Sequence, residues 1–78
     1  MPLFKFHVFN DDQTIDREGR DLPDLDAARA YAIECARAIM AEEIKAKGDI
    51  DLRHWIEIED QQGEMHVVPF DSAVRVDR

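Results

Sequence analysis

Cysteine is almost missing from this chain of 78 residues; Cys35 is the only one. A disulfide within the chain is therefore excluded, and so is a zinc site built from several thiolates. One unpaired thiol fits a reducing compartment, which makes the cytoplasm the expected location. Positive charge is also scarce. Ten Lys and Arg stand against 18 Asp and Glu, a net charge of −8. No basic stripe interrupts that surface, so neither nucleic acid nor an anionic membrane is an expected partner. A charge of this size mainly keeps a small domain soluble, and it leaves a basic protein open as a partner. No stretch approaches the roughly 18 consecutive apolar residues of a membrane span. Met1-Pro2-Leu3-Phe4-Lys5 carries neither the apolar run nor the cleavage pattern of a signal peptide. Phosphate-cradling glycine loops and a Gly-x-Ser-x-Gly elbow are absent as well.

What is present reads as one α+β domain over residues 1–78. A chain this short buries only about 60–65% of the surface its unfolded form exposes, so its stability is expected to be marginal. Self-association is a common supplement in such small scaffolds. Residues 3–9 alternate with period two, which predicts a strand with Phe4, Phe6 and Val8 on one face. Leu3, Lys5, His7 and Phe9 fall on the other. Asn10-Asp11-Asp12 is a turn cluster, followed by a weaker strand over 13–17 around Ile15.

A helix is predicted over 25–47. Asp24 caps its start, Lys45 and Lys47 suit its negative end, and Gly48 stops it. Its inward stripe (Leu25, Ala28, Ala32, Cys35, Ala36, Ile39) is rich in alanine, which suits close packing on a sheet. Residues 53–59 and 65–70 predict two more strands joined by the hairpin turn Asp60-Gln61-Gln62-Gly63. Pro69 places the last strand at an edge or ends it. The tail, 71–78, frays or forms one helical turn. The expected architecture is ββαββ, a four-stranded, mostly antiparallel sheet covered on one face by a single long helix.

Several stretches taken together resemble a family of small bacterial proteins known as a domain of unknown function. They are Pro2-Leu3-Phe4-Lys5-Phe6-His7, Glu18-Gly19, Leu22-Pro23-Asp24-Leu25-Asp26-Ala27-Ala28-Arg29, the Asp60 to Gly63 turn and Pro69-Phe70. The resemblance spans nearly the whole chain. Lys5 departs from the apolar residue expected between Phe4 and Phe6. The resemblance implies the same small fold and brings no activity, cofactor or catalytic residue.

Candidate chemistry is sparse. His7, His54 and His66 invite a metal reading if the first and last strands are neighbours, with Glu57 or Glu59 completing a site. No His-x-His or His-xxx-His spacing supports it, and no metal or cofactor is expected. Cys35 on the inward helix stripe reads as a small apolar residue rather than a nucleophile. Asp11, Asp12, Asp16 and Glu18 do not make a calcium loop: from Asp11, the sixth residue is Asp16 and the twelfth is Leu22, where Gly and Glu are required. A substrate-sized pocket of about 300 Å³ is not expected in one helix-on-sheet layer, and neither is catalysis.

The remaining signal is the sheet face that a single helix leaves bare. Leu3, Lys5, His7, Phe9, Trp55 and Glu57 are the candidate interaction residues there. Trp55 either lies on this face or folds over the helix C-terminus near Ile44. The expected function is a non-catalytic interaction domain, a homodimer or the partner of another protein. One alternative is a neutraliser of a basic partner, similar in outline to HicB-type antitoxins, from which this chain departs by having two strands before the helix and no DNA-binding tail. The other is a weak histidine metal site.

Overall fold

The computed structural model describes residues 1–77. Its strands are β1 (Leu3–Phe9), β2 (Gln13–Thr14), β3 (Arg20–Asp21), β4 (Trp55–Glu59) and β5 (Met65–Pro69). One helix, α1 (Leu25–Lys47), separates β3 from β4, and a 3₁₀ turn (Phe70–Ser72) follows β5. All pairings are antiparallel, in the order β2-β1-β4-β5, with β3 also pairing β1. This is the α+β arrangement expected, with the helix on one face.

The helix begins and ends where its caps predict. Asp24 Oδ1 accepts from the Ala27 N–H at 2.9 Å, and Gly48 at φ 79° donates its N–H to the Ile44 carbonyl. Ala28, Ala32 and Ala36 are completely buried, and Met40 continues the stripe. Cys35 and Ile39, expected on its centre, flank it half-buried. Methyl side chains let the helix backbone approach the sheet closely, so the core volume comes from the strands: Phe4 and Phe6 from β1, Ile56 and Ile58 from β4, Val68 from β5. Each such side chain stabilises the fold by about 1.5–3 kcal/mol when fully buried.

One strand expectation needs correction. The strand expected over 13–17 is instead a pair of two-residue strands flanking a bulge. Residues 15–19 lie opposite the shorter stretch Lys5–His7, so the register shifts between β2 and β3. Gly19, at φ 77°, makes the return, and a Cβ there would meet the Phe4 carbonyl oxygen at 2.9 Å. At the tail, a 3₁₀ turn over Phe70–Ser72 follows β5, beginning one residue before the expected turn. Phe70 and Ala73 are buried in the core, and Arg37 Nε donates to the Ala73 carbonyl at 2.7 Å.

The alanine stripe generates a direct prediction. Ala32→Leu should lower the unfolding free energy by about 1–3 kcal/mol, because a methyl-lined contact has no room for three more carbons. Ala38→Leu, on the exposed face of the same helix, should be close to neutral; urea denaturation of both variants checks the contrast.

Candidate interaction face

Cross-strand register sorts the face opposite the helix into rows. Phe9 pairs with Trp55 and Trp55 with Pro69; His7 pairs with Glu57 and Glu57 with Val67; Lys5 pairs with Glu59 and Glu59 with Met65. Opposed residues share a face. The candidate residues Leu3, Lys5, His7, Phe9, Trp55 and Glu57 are therefore all on this side of the sheet. Trp55 stacks on Phe9 with ring centroids 5.2 Å apart and planes 8° from parallel. Its indole N–H donates to Glu57 Oε2 at 2.9 Å. Ile44 remains 54% exposed, so Trp55 does not close the core over the helix end.

The face is apolar along one end and along β5, and charged at its centre. Phe9, Trp55 and Pro69 form the end row. Met65 and Val67 continue the apolar strip down β5, each about half exposed. Sequence reading missed this β5 contribution. Met65-His66-Val67-Val68-Pro69-Phe70 carries apolar residues in both phases, so alternation does not reveal which set faces the core.

His7 corrects the sequence reading most clearly. Expected as an exposed member of this face, it is 5% exposed. Its Nδ1 accepts from the Asp16 N–H at 3.1 Å, and its Nε2 lies 2.9 Å from Glu59 Oε1. An acceptor at Nδ1 fixes the neutral tautomer with its proton on Nε2, where it donates to Glu59. Asp16 does more than orient this ring. Its Oδ2 accepts from the Phe6 N–H, and its Oδ1 accepts from the Glu18 and Gly19 N–H groups, all at 3.1 Å. The bulge would otherwise leave the Phe6 N–H without a ladder partner. Desolvation works against ionisation of Asp16. The N–H groups of Gly19, Phe6 and Glu18 outweigh it and hold the carboxyl below its ordinary value.

The three histidines do not converge. β4 lies between β1 and β5, and His66 pairs with Ile58 on the helix side while His7 lies on the other. His54 is buried edge-on against Phe70, with Nε2 3.5 Å from Asp11 and 3.6 Å from Asp51. Another grouping appears instead: one donor atom each from Asp60, Glu64 and His66 lies within 4.8 Å of the others. Cys35 is half-buried, and burial pushes its thiol above the ordinary value, away from a nucleophilic thiolate.

Surface depressions are larger than expected. One of about 380 Å³ opens between the bulge and the helix, over Phe6, Val8 and Ile56 with Arg20 and Tyr31 beside them. Another, of about 440 Å³, adjoins Asp60, Glu64 and His66. Close approach by an alanine-lined helix covers a narrow strip of sheet, which leaves these margins open.

Asp16 provides the test of this local architecture. Asp16→Asn should cost about 1.5–3 kcal/mol at pH 7, the range for hydrogen bonds to a charged group. A depressed carboxyl contributes stability that is complete above its ordinary value of 3.8 and is lost as pH falls through its lower folded-state value. The gap between wild type and Asp16→Asn should therefore be constant at neutral pH and narrow below about pH 3.8 in acid titrations of the denaturation midpoint.

Among the described residues, no helix is long and apolar enough to cross a membrane. Comparison with curated proteins and comparison with solved structures each find no match. A family model described as a domain of unknown function, DUF6894, matches residues 3–71, and the chain belongs to that family.

Proposed function

We propose that this domain is a non-catalytic interaction module that self-associates, two copies meeting through β5 and the apolar strip beside it. The observation that carries this reading is the free edge of β5, whose neighbouring side chains Met65 and Val67 are half exposed. Its backbone pattern follows from the hairpin. Asp60 N–H bonds to the Glu64 carbonyl and Phe70 N–H to the His54 carbonyl. Alternation along an antiparallel pair then turns the N–H and C=O groups of Met65 and Val67 away from β4. Pro69 falls in the same phase, where its missing N–H costs the β4–β5 ladder nothing.

An exposed edge of this kind is a template for another strand. The second copy is the occupant favoured because the edge is self-complementary. A two-fold axis at Val67 sets Val67 against Val67 and Met65 against Pro69 of the other chain, so each apolar side chain meets another. The strip continues into Trp55 and Phe9, and aromatic residues are enriched at the energetic centres of interfaces. The opposite edge, along β1, is already occupied by β2, β3 and the Asp16 carboxylate. The single thiol accords with a cytoplasmic setting for this activity.

Charge separates this reading from a neutraliser of a basic partner. Two chains at −8 repel, so added salt should strengthen self-association, whereas salt weakens binding to a basic protein. Sedimentation should show a concentration-dependent mass approaching about 18 kDa, twice the 9.0 kDa chain, with Trp55 fluorescence shifting to the blue. Val67→Lys should weaken association at least about tenfold, or ~1.4 kcal/mol, while leaving the fold intact. A strict monomer at high concentration in 0.5 M salt (roughly a 4 Å screening length) removes the proposal.

A further inference from the structure

The turn between β4 and β5 gathers donors that the association face does not use. Asp60 Oδ2 and His66 Nε2 are 3.0 Å apart, and a Glu64 carboxylate oxygen lies within 4.8 Å of both. Two ligands of a tetrahedral ion, with bonds of about 2.0–2.2 Å, are separated by roughly 3.3–3.6 Å, so the first pair needs to open by only a few tenths of an ångström to reach the spacing of neighbouring ligands. The turn holds Asp60 in place: its Oδ1 accepts from the Gln62 and Glu64 N–H groups at 2.9 Å, and its carbonyl accepts from Gly63. With Oδ1 engaged, Oδ2 is the oxygen left to face His66. Among the described residues, no Lys or Arg lies in ion-pair range of Asp60 or Glu64, although the two carboxylates converge.

We propose that Asp60, Glu64 and His66 form a site for a first-row divalent transition ion of the zinc or cobalt type. Imidazole nitrogen selects this class over calcium, which takes 6–8 oxygen ligands. Three protein donors leave coordination positions for water, and the adjoining depression of about 440 Å³, which Asp24, Gln61 and Gln62 also line, gives them access. Binding at Nε2 uses the lone pair of the neutral ring. The ring proton then resides on Nδ1, so the tautomer changes and the ring charge does not. His66 is on the helix side of β5, away from Met65 and Val67, so the ion site and the self-association surface are separable.

Cobalt(II) titration of the full chain tests the site. Saturable visible absorption bands are expected, together with selective perturbation of the His66 ring resonances while those of His7 and His54 stay in place. Glu64→Gln removes an exposed ligand without touching the core and should weaken binding at least about tenfold, as should His66→Gln. Val67→Lys should bind cobalt like the wild type, which separates failure here from failure of self-association. Absence of saturable binding up to millimolar cobalt, affinity unchanged in Glu64→Gln, or perturbation centred on His54 beside Asp11 and Asp51 would overturn the assignment.

Discussion

Close contact between three alanines and the sheet is the constraint on which the rest of this small domain depends. Ala28, Ala32 and Ala36 bring the helix backbone down onto Ile56 and Ile58 with no side-chain volume to spare. Ridges of larger residues would hold the helix further out and cover a broader area of sheet. Instead the contact is narrow and tight. The strands provide the bulk, and Phe70 from the turn after β5 fills the remaining space. A core this economical suits 78 residues, but it leaves the margins of the covered face as open depressions and the opposite face without a layer.

The two edges of the sheet are treated differently as a result. Along β1, the chain folds back on itself in two short strands, and the five residues between them do not pair. Asp16 replaces the missing backbone partner with a carboxylate, which also gathers the Glu18 and Gly19 N–H groups, while its own backbone N–H donates to His7 Nδ1 and sets the tautomer of that ring. A single acid therefore seals one edge and draws a histidine out of solvent on the face that otherwise stays bare. Along β5 there is no equivalent. Pro69 blunts one end of that strand, and the remaining outward backbone groups lie beside apolar side chains.

How much of this was legible in the residues follows from the range of the interactions concerned. The helix, Asp24 to Gly48, was readable to its ends because caps are local chemistry. β1 and β4 were readable because Phe4, Phe6, Ile56 and Ile58 alternate cleanly with polar neighbours, but that alternation left Trp55 open between the face of Phe9 and the helix end near Ile44. The bulge was not readable. Asp16 bonds a residue ten positions away, and nothing near Ile15 distinguishes a short strand from a bulged one. His7 looked exposed because its phase is outward; its burial comes from Glu59, 52 residues distant, and from the bulge. The Asp60, Glu64 and His66 grouping lay in plain sight as a turn followed by a strand. The two-residue step from Glu64 to His66 is not a helix-face spacing, and only the hairpin brings those donors together.

An unguarded edge is usually an aggregation hazard, and sheets commonly defend it with inward-pointing charge or a lysine on the strand itself. β5 carries neither, yet the chain as a whole carries −8. Defence here is long-range rather than local. Repulsion between two such chains extends over roughly 8 Å at physiological ionic strength and acts before any strand can pair. It discourages open-ended stacking, in which every added copy brings another −8, more than it discourages a single closed pair. In the proposed pair, a two-fold contact at β5 would use that edge in both copies, leaving only the edge where Asp16 takes up the Phe6 N–H. Under that reading, the acidity of the chain limits how far its bare strand can propagate.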